Sequence, residues 1–153
     1  LHDVADHKYD KDGLLARQVK KTLKVLYPED HETVWRVICA ISYSKERSQG
    51  LDALHEGINE YWWNIRNIVS DADKIEALGQ TGVERCLAYS RAANPGASDE
   101  DIRAMLLAHV DEKLAGLHQY FRTPLGRVEA GHATDEMLGG VSKFQSFTQP
   151  FNQ

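Results

Sequence analysis

The residue types best suited to catalysis or metal binding in this sequence are seven histidines and the acidic residues near them. In helical bundles, a carboxylate-bridged di-iron site takes Glu-x-x-His from each of two helices and a further Glu from each of two others. One such spacing occurs, at Glu129 and His132, but it lies in a stretch rich in glycine. Closely spaced His and Cys ligands typical of zinc sites are missing. We therefore predict no bound metal or other cofactor.

A second group of polar residues lies on one predicted helix near the middle of the C-terminal half. Arg103 and His109 could act there as a cation and a general base, with Glu112 one helical turn further on. The nearest approach to a metal site is the set His109, Glu112 and His118. No Gly-x-Ser-x-Gly or glycine-rich phosphate loop accompanies these residues. A helical enzyme, metal-dependent or nuclease-like, is therefore an alternative rather than the main expectation.

The aromatic residues point instead to binding surfaces. Tyr61, Trp62 and Trp63 are consecutive, so at about 100° per residue they cover more of a helix than a core-facing stripe needs. Trp62 continues an apolar stripe, whereas Trp63 has mostly polar neighbours at helical spacing. It either lies over its own helix or anchors an interface, where tryptophan is enriched. We predict Trp63 as an interface residue.

The C-terminal segment is the second source of excess aromatic surface. Three of the four phenylalanines, Phe144, Phe147 and Phe151, lie in the last ten residues, although disordered segments are normally poor in aromatics. These side chains should be buried, either on the chain's own bundle or on a neighbouring subunit. Pro150 stops any helix before Phe151. We therefore predict an extended arm over 123–153 with Phe144, Phe147 and Phe151 as interface anchors.

The sequence predicts that these residues lie on helices, because apolar residues recur at spacings of three and four and almost never alternate. We predict an all-α protein, a single bundle of about five to seven helices over 1–122. Ser70, Thr81 and Ser98 each head a helix-start pattern. One short helical turn is expected after Thr134. The predicted helices cover 13–26, 31–44, 51–69, 70–78, 82–93 and 99–122.

Charge and composition narrow the class of protein. The net charge is −5 and no segment is basic, so the sequence does not favour nucleic-acid binding. The longest apolar run, residues 37–41, is far shorter than the roughly 20 residues of a membrane span. Cys39 and Cys86 lie in helical patterns without a disulfide framework, which indicates the cytoplasm or another reducing intracellular compartment.

The main functional expectation rests on two observations: the sequence has more aromatic residues than its predicted core needs, and it lacks a recognisable set of catalytic residues. We predict a non-enzymatic protein that binds other protein subunits or itself, as a structural or accessory part of a larger assembly. The enzyme around Arg103, His109 and Glu112 is the first alternative. The second alternative is a small-molecule or cofactor site between helices, lined by Trp35, Tyr43 and Trp62.

Overall fold

The computed structural model describes residues 10–146, with side chains up to Ser142. Within this range the secondary structure is helical and contains no strand, so the all-α prediction is confirmed. The α-helices are α1 (Leu14–Leu26), α2 (His31–Ala40), α3 (Tyr43–Gln49), α4 (Leu51–His55), α5 (Glu60–Ile75), α6 (Gly79–Ala93), α7 (Asp99–His109) and α8 (Pro124–Ser146). A π-helical turn (Val110–Leu114) and a 3-10 turn (Leu117–Tyr120) connect α7 to α8.

The chain forms two compact units, whose boundary falls within α5 between Ser70 and Asp71. The first unit contains α1 to α4 and the first part of α5, and its core cluster is Val37, Ile41 and Ile58 with Trp62 and Trp63 packed against it. The second unit contains α6 to α8, and α6 packs along α8.

Two of the predicted helices are interrupted in the first unit. The helix expected over 31–44 ends at Ala40, and Ser42, in an extended conformation, caps α3 by accepting a hydrogen bond from the Lys45 N–H at 3.4 Å. The helix expected over 51–69 breaks after α4, where Gly57 adopts a φ of 70°. This left-handed conformation favours glycine and ends a right-handed helix. Residues 45–50 separate the two predicted helices, but most of them belong to α3 instead.

The predicted helix starts have mixed outcomes. Ser98 and Asp101 form the capping box that opens α7, as the sequence indicates. Ser70 lies inside α5, which continues to Ile75, so no new helix begins there. Helix α6 begins at Gly79, so Thr81 is in its first turn and is not an N-cap. The last predicted helix, 99–122, ends as α-helix at His109 and continues through the π and 3-10 turns.

The C-terminal segment differs most from expectation, because residues 124–146 form α8 rather than an extended arm. Its glycines suggested irregular structure, yet the buried residues Ala130, Thr134, Met137 and Val141 recur every three or four positions. Ala130 and Met137 are completely buried. Helix α8 is therefore part of the core of the second unit, and only residues 147–153 of the predicted arm lie outside the described residues.

A glycine in α6 provides a sharp test of the close turn between α5 and α6. A Cβ atom at Gly82 would collide with the carbonyl oxygen of Ala77, and a backbone atom cannot move aside as a side chain can. We expect Gly82→Ala to destabilise the protein by about 1–3 kcal/mol. At Gly139 in α8 an added Cβ meets open space, so Gly139→Ala should stabilise by up to about 1 kcal/mol. Urea unfolding followed by far-UV circular dichroism measures both; equal midpoints would contradict the close approach at Gly82.

Candidate functional site

The predicted catalytic residues lie on α7 and the π turn of the second unit. Arg103 and Glu112 are exposed, whereas His109 is half-buried. Burial lowers the pKa of His109, and the nearby Lys113 ammonium lowers it further. Exposed charged groups of this kind are ordinary features of a solvated helix face. A catalytic role for Arg103, His109 and Glu112 stays a prediction.

The candidate metal ligands show no arrangement around a shared point. His118 is exposed, and its Nδ1 lies 2.9 Å from the carbonyl oxygen of Ala115. Among residues 10–146, no three His, Cys, Asp or Glu side chains are placed to hold a metal ion, and this includes His109, Glu112 and His118. The described geometry thus offers no support for a metal-dependent reaction at this place.

The predicted interface residues are only partly within the described structure. Trp63 is half-buried and packs against the core cluster of the first unit. The backbone at Phe144 belongs to α8, but the described side chains stop before it. Phe147 and Phe151 lie outside the described residues. The interface role of these four residues stays a prediction.

Trp63 makes a specific contact that the sequence did not indicate. Its ring stacks on that of His55, with centroids 4.7 Å apart and planes inclined by 14°. Its indole N–H donates a hydrogen bond of 3.1 Å to the backbone carbonyl of His55. The turn at Gly57 returns the chain so that α5 can meet the end of α4, and Arg36 holds this turn by donating to the Gly57 carbonyl at 3.1 Å.

The imidazole of His55 has a buried nitrogen without a hydrogen-bond partner. It is about nine-tenths buried, and its Nε2 has no hydrogen-bond partner. Burial lowers the pKa of His55, and the charge of Arg66 lowers it further, so the ring is neutral at pH 7. An unpaired nitrogen on a neutral ring loses less hydration on burial than an unpaired charge does. Burial at this place therefore favours the uncharged form of the ring.

A surface cavity of about 550 Å³ adjoins this stack. Such a volume is within the range of small-molecule sites, so this cavity bears on the small-molecule alternative. Trp35, Tyr43 and Trp62, predicted to line a site of this kind, do not line this cavity. Of the lining residues, Trp63 alone was singled out from the sequence, as an interface residue. The cavity is lined by Asp52, Ala53, His55, Glu56, Gly57, Ile58 and Trp63.

Helix α1 presents a different kind of candidate surface. Leu23 is its only buried residue, although apolar residues occur along its whole length. At its C-terminal end Val25, Leu26 and Tyr27 are consecutive and are 76%, 63% and 52% exposed. Soluble proteins seldom expose contiguous apolar side chains unless they contact another molecule. None of the helices among the described residues is both long and apolar enough to cross a membrane.

Comparison with known proteins assigns no function to the cavity beside His55 or to the exposed end of α1. The chain matches no protein-family model, no curated protein and no solved structure.

Proposed function

We propose that this protein is a non-enzymatic interaction protein, a structural or accessory subunit of a larger assembly. The observation that carries the proposal is the exposed apolar end of α1, formed by Val25, Leu26 and Tyr27. Burying apolar surface is the main driving force of protein association. Trp63, Phe144, Phe147 and Phe151 remain predicted interface anchors, and the proposal does not depend on them.

The neighbouring charges support a docking role for the end of α1. Lys20, Lys21 and Lys24 are exposed on the same helix as the apolar end. Lys20 is partly engaged, because its Nζ lies 5.1 Å from the ring centre of Trp35. An apolar centre with a charged rim is the usual anatomy of a protein interface.

We also propose that the protein works in the cytoplasm or another reducing intracellular compartment. Cys39 and Cys86 are free thiols, and burial raises the pKa of both, which disfavours the reactive thiolate. Unreactive free thiols support the assignment to the cytoplasm or another reducing compartment.

We expect the full chain to self-associate and the double substitution Val25→Glu with Leu26→Glu to weaken that association roughly tenfold or more. Two buried apolar side chains are replaced by charges, and each contributed about 1.5–3 kcal/mol if fully buried at the interface. Size-exclusion chromatography with light scattering over a range of protein concentrations measures the effect.

The matched control is Lys21→Gln with Lys24→Gln, which changes the net charge by the same amount but keeps the apolar end of α1. This control should associate like the unmodified chain, and circular dichroism should show unchanged helix content in both double variants. A chain that stays monomeric at every concentration would sink the proposal for self-association. Equal weakening by the two double variants would show that charge alone, and not the apolar surface, determines the result.

A further inference from the structure

The cavity of about 550 Å³ at the end of α4 carries negative charge on its lining. Asp52, on α4, and Glu56, directly after it, both line the cavity, and both are exposed. None of the seven lining residues is a lysine or an arginine. The nearby Arg36 donates its hydrogen bond to the carbonyl oxygen of Gly57. The charge on the lining therefore favours a cationic ligand over an anionic one.

A buried polar atom of the cavity wall lacks a partner within the protein. His55 lines the cavity, is about nine-tenths buried, and has an Nε2 atom without a hydrogen bond. A buried polar atom that stays unpaired costs free energy, which a ligand group can recover by pairing with it. An ammonium group only donates, so it pairs with Nε2 in the tautomer that carries its proton on Nδ1.

The apolar part of the wall is held in place by contacts within the first unit. Trp63 stacks on the ring of His55, and its indole N–H donates to the His55 carbonyl oxygen at 3.1 Å. Ile58 belongs to the buried core cluster, and Trp63 packs against that cluster. Both residues line the cavity. Because these contacts already order the wall, binding a ligand there loses less conformational entropy than ordering a loop would.

We propose that this cavity binds a small amine with an apolar body. The ammonium group pairs with the carboxylates of Asp52 and Glu56 and with Nε2 of His55. The apolar body lies against Trp63 and Ile58. This site is independent of the exposed end of α1, so it adds a ligand-binding activity to the proposed interaction protein.

Titration of the full chain with phenethylamine tests the assignment. The comparison probe is phenylpropionate, which has the same phenyl body but a carboxylate in place of the ammonium group. Proton–nitrogen NMR follows the indole N–H signals of the three tryptophans, and Trp63→Phe identifies the signal of Trp63. We expect this signal to shift until it saturates, with an affinity for phenethylamine at least about tenfold higher than for phenylpropionate.

A double substitution separates the site from the overall charge of the protein. Asp52→Asn with Glu56→Gln removes both charges of the lining and nearly keeps the side-chain shapes, so phenethylamine should bind at least about tenfold more weakly. The matched control is Glu129→Gln with Asp135→Asn, two exposed carboxylates of α8. It changes the net charge by the same amount and should bind phenethylamine like the unmodified chain. Circular dichroism should show the same helix content in both double variants.

A substitution at His55 tests the pairing with Nε2. His55→Phe keeps an aromatic ring against Trp63 but removes the nitrogen, so phenethylamine should bind about three- to tenfold more weakly. Unchanged affinity would overturn the pairing with Nε2. Equal affinity for the two probes, or equal weakening by the two double variants, would overturn the amine site as a whole. It would equally be overturned if millimolar phenethylamine gave no saturating shift, or shifted only the signals of Trp35 and Trp62.

Discussion

Replacing Glu46 by glutamine is expected to destabilise the first unit by about 3–5 kcal/mol, although the two side chains have nearly the same shape. Glu46 accepts a hydrogen bond of 2.9 Å from Nη2 of Arg66, and both side chains are almost completely buried, at 1% and 0% exposed. Glutamine keeps an acceptor but removes the negative charge. The guanidinium charge would then be buried without a counter-charge.

The position of Arg66 explains why the protein keeps a charged pair here. Its Nε and Nη2 both donate to the carbonyl oxygen of Ala40, at 3.1 Å and 3.0 Å. Ala40 is the last residue of α2, so this carbonyl lacks a partner within its own helix. A cation at a helix C-terminus also interacts favourably with the helix dipole. Arg66 on α5 thus joins the end of α2 to Glu46 on α3.

Far-UV circular dichroism during urea unfolding measures this prediction and its control, because both units are helical. The fluorescence of Trp35, Trp62 and Trp63 reports on the first unit separately. The control is Glu76→Gln. Glu76 pairs with Arg85 at the same distance of 2.9 Å, but these side chains are 69% and 63% exposed. Water screens an exposed pair, so Glu76→Gln should change the stability by about 0–1 kcal/mol. Similar losses from the two substitutions would show that burial does not determine the strength of the Arg66–Glu46 pair.

Replacing Asp71 by alanine is expected to destabilise the second unit by about 2–5 kcal/mol. The buried Asp71 carboxylate accepts hydrogen bonds from the backbone N–H of Arg122 at 3.0 Å and of Thr123 at 2.7 Å. It also accepts one from the Thr123 hydroxyl at 2.8 Å. Alanine would leave these donors without their partner, and each buried unsatisfied donor costs about 1–3 kcal/mol.

The effect should extend to the start of α8, because Asp71 orients the residue that caps this helix. The hydroxyl oxygen of Thr123 accepts a hydrogen bond of 3.0 Å from the Gly126 N–H, in the first turn of α8. A Cβ at Gly126 would collide with the Asp71 carboxylate, so only glycine permits this approach. One helical turn after Asp71, Lys74 donates to the Tyr120 carbonyl at 3.0 Å. The end of α5 thus holds the segment that leads into α8.

Far-UV circular dichroism during urea unfolding measures the loss for Asp71→Ala. The control is Asp135→Ala, the same substitution at an exposed position of α8, which should change the stability by no more than about 0.5 kcal/mol. If the two variants unfold at the same urea concentration, the hydrogen bonds of Asp71 do not stabilise the second unit.

The features that could be predicted from the amino-acid sequence are those determined by neighbours within one helical turn. The periodic apolar residues indicate helices throughout, and α1 was predicted to within one residue. The capping box of Ser98 and Asp101 is confirmed because both partners lie three residues apart. Such interactions depend on local spacing alone, so the sequence displays them directly.

The features that could not be predicted depend on partners far away along the chain. Glu46 looked like part of a solvated connection, because its partner Arg66 is twenty residues away. Ser70 and Asp71 looked like a helix start, because the donors to Asp71 lie about fifty residues further on. The stack of His55 on Trp63 depends on the turn at Gly57. Helix α8, which contains several glycines, is stabilised by packing against α6. Helix propensities differ by less than about 1 kcal/mol per residue among ordinary residues. Packing and hydrogen bonds between distant residues contribute more than this, so they place these polar and glycine residues where local preference alone would not.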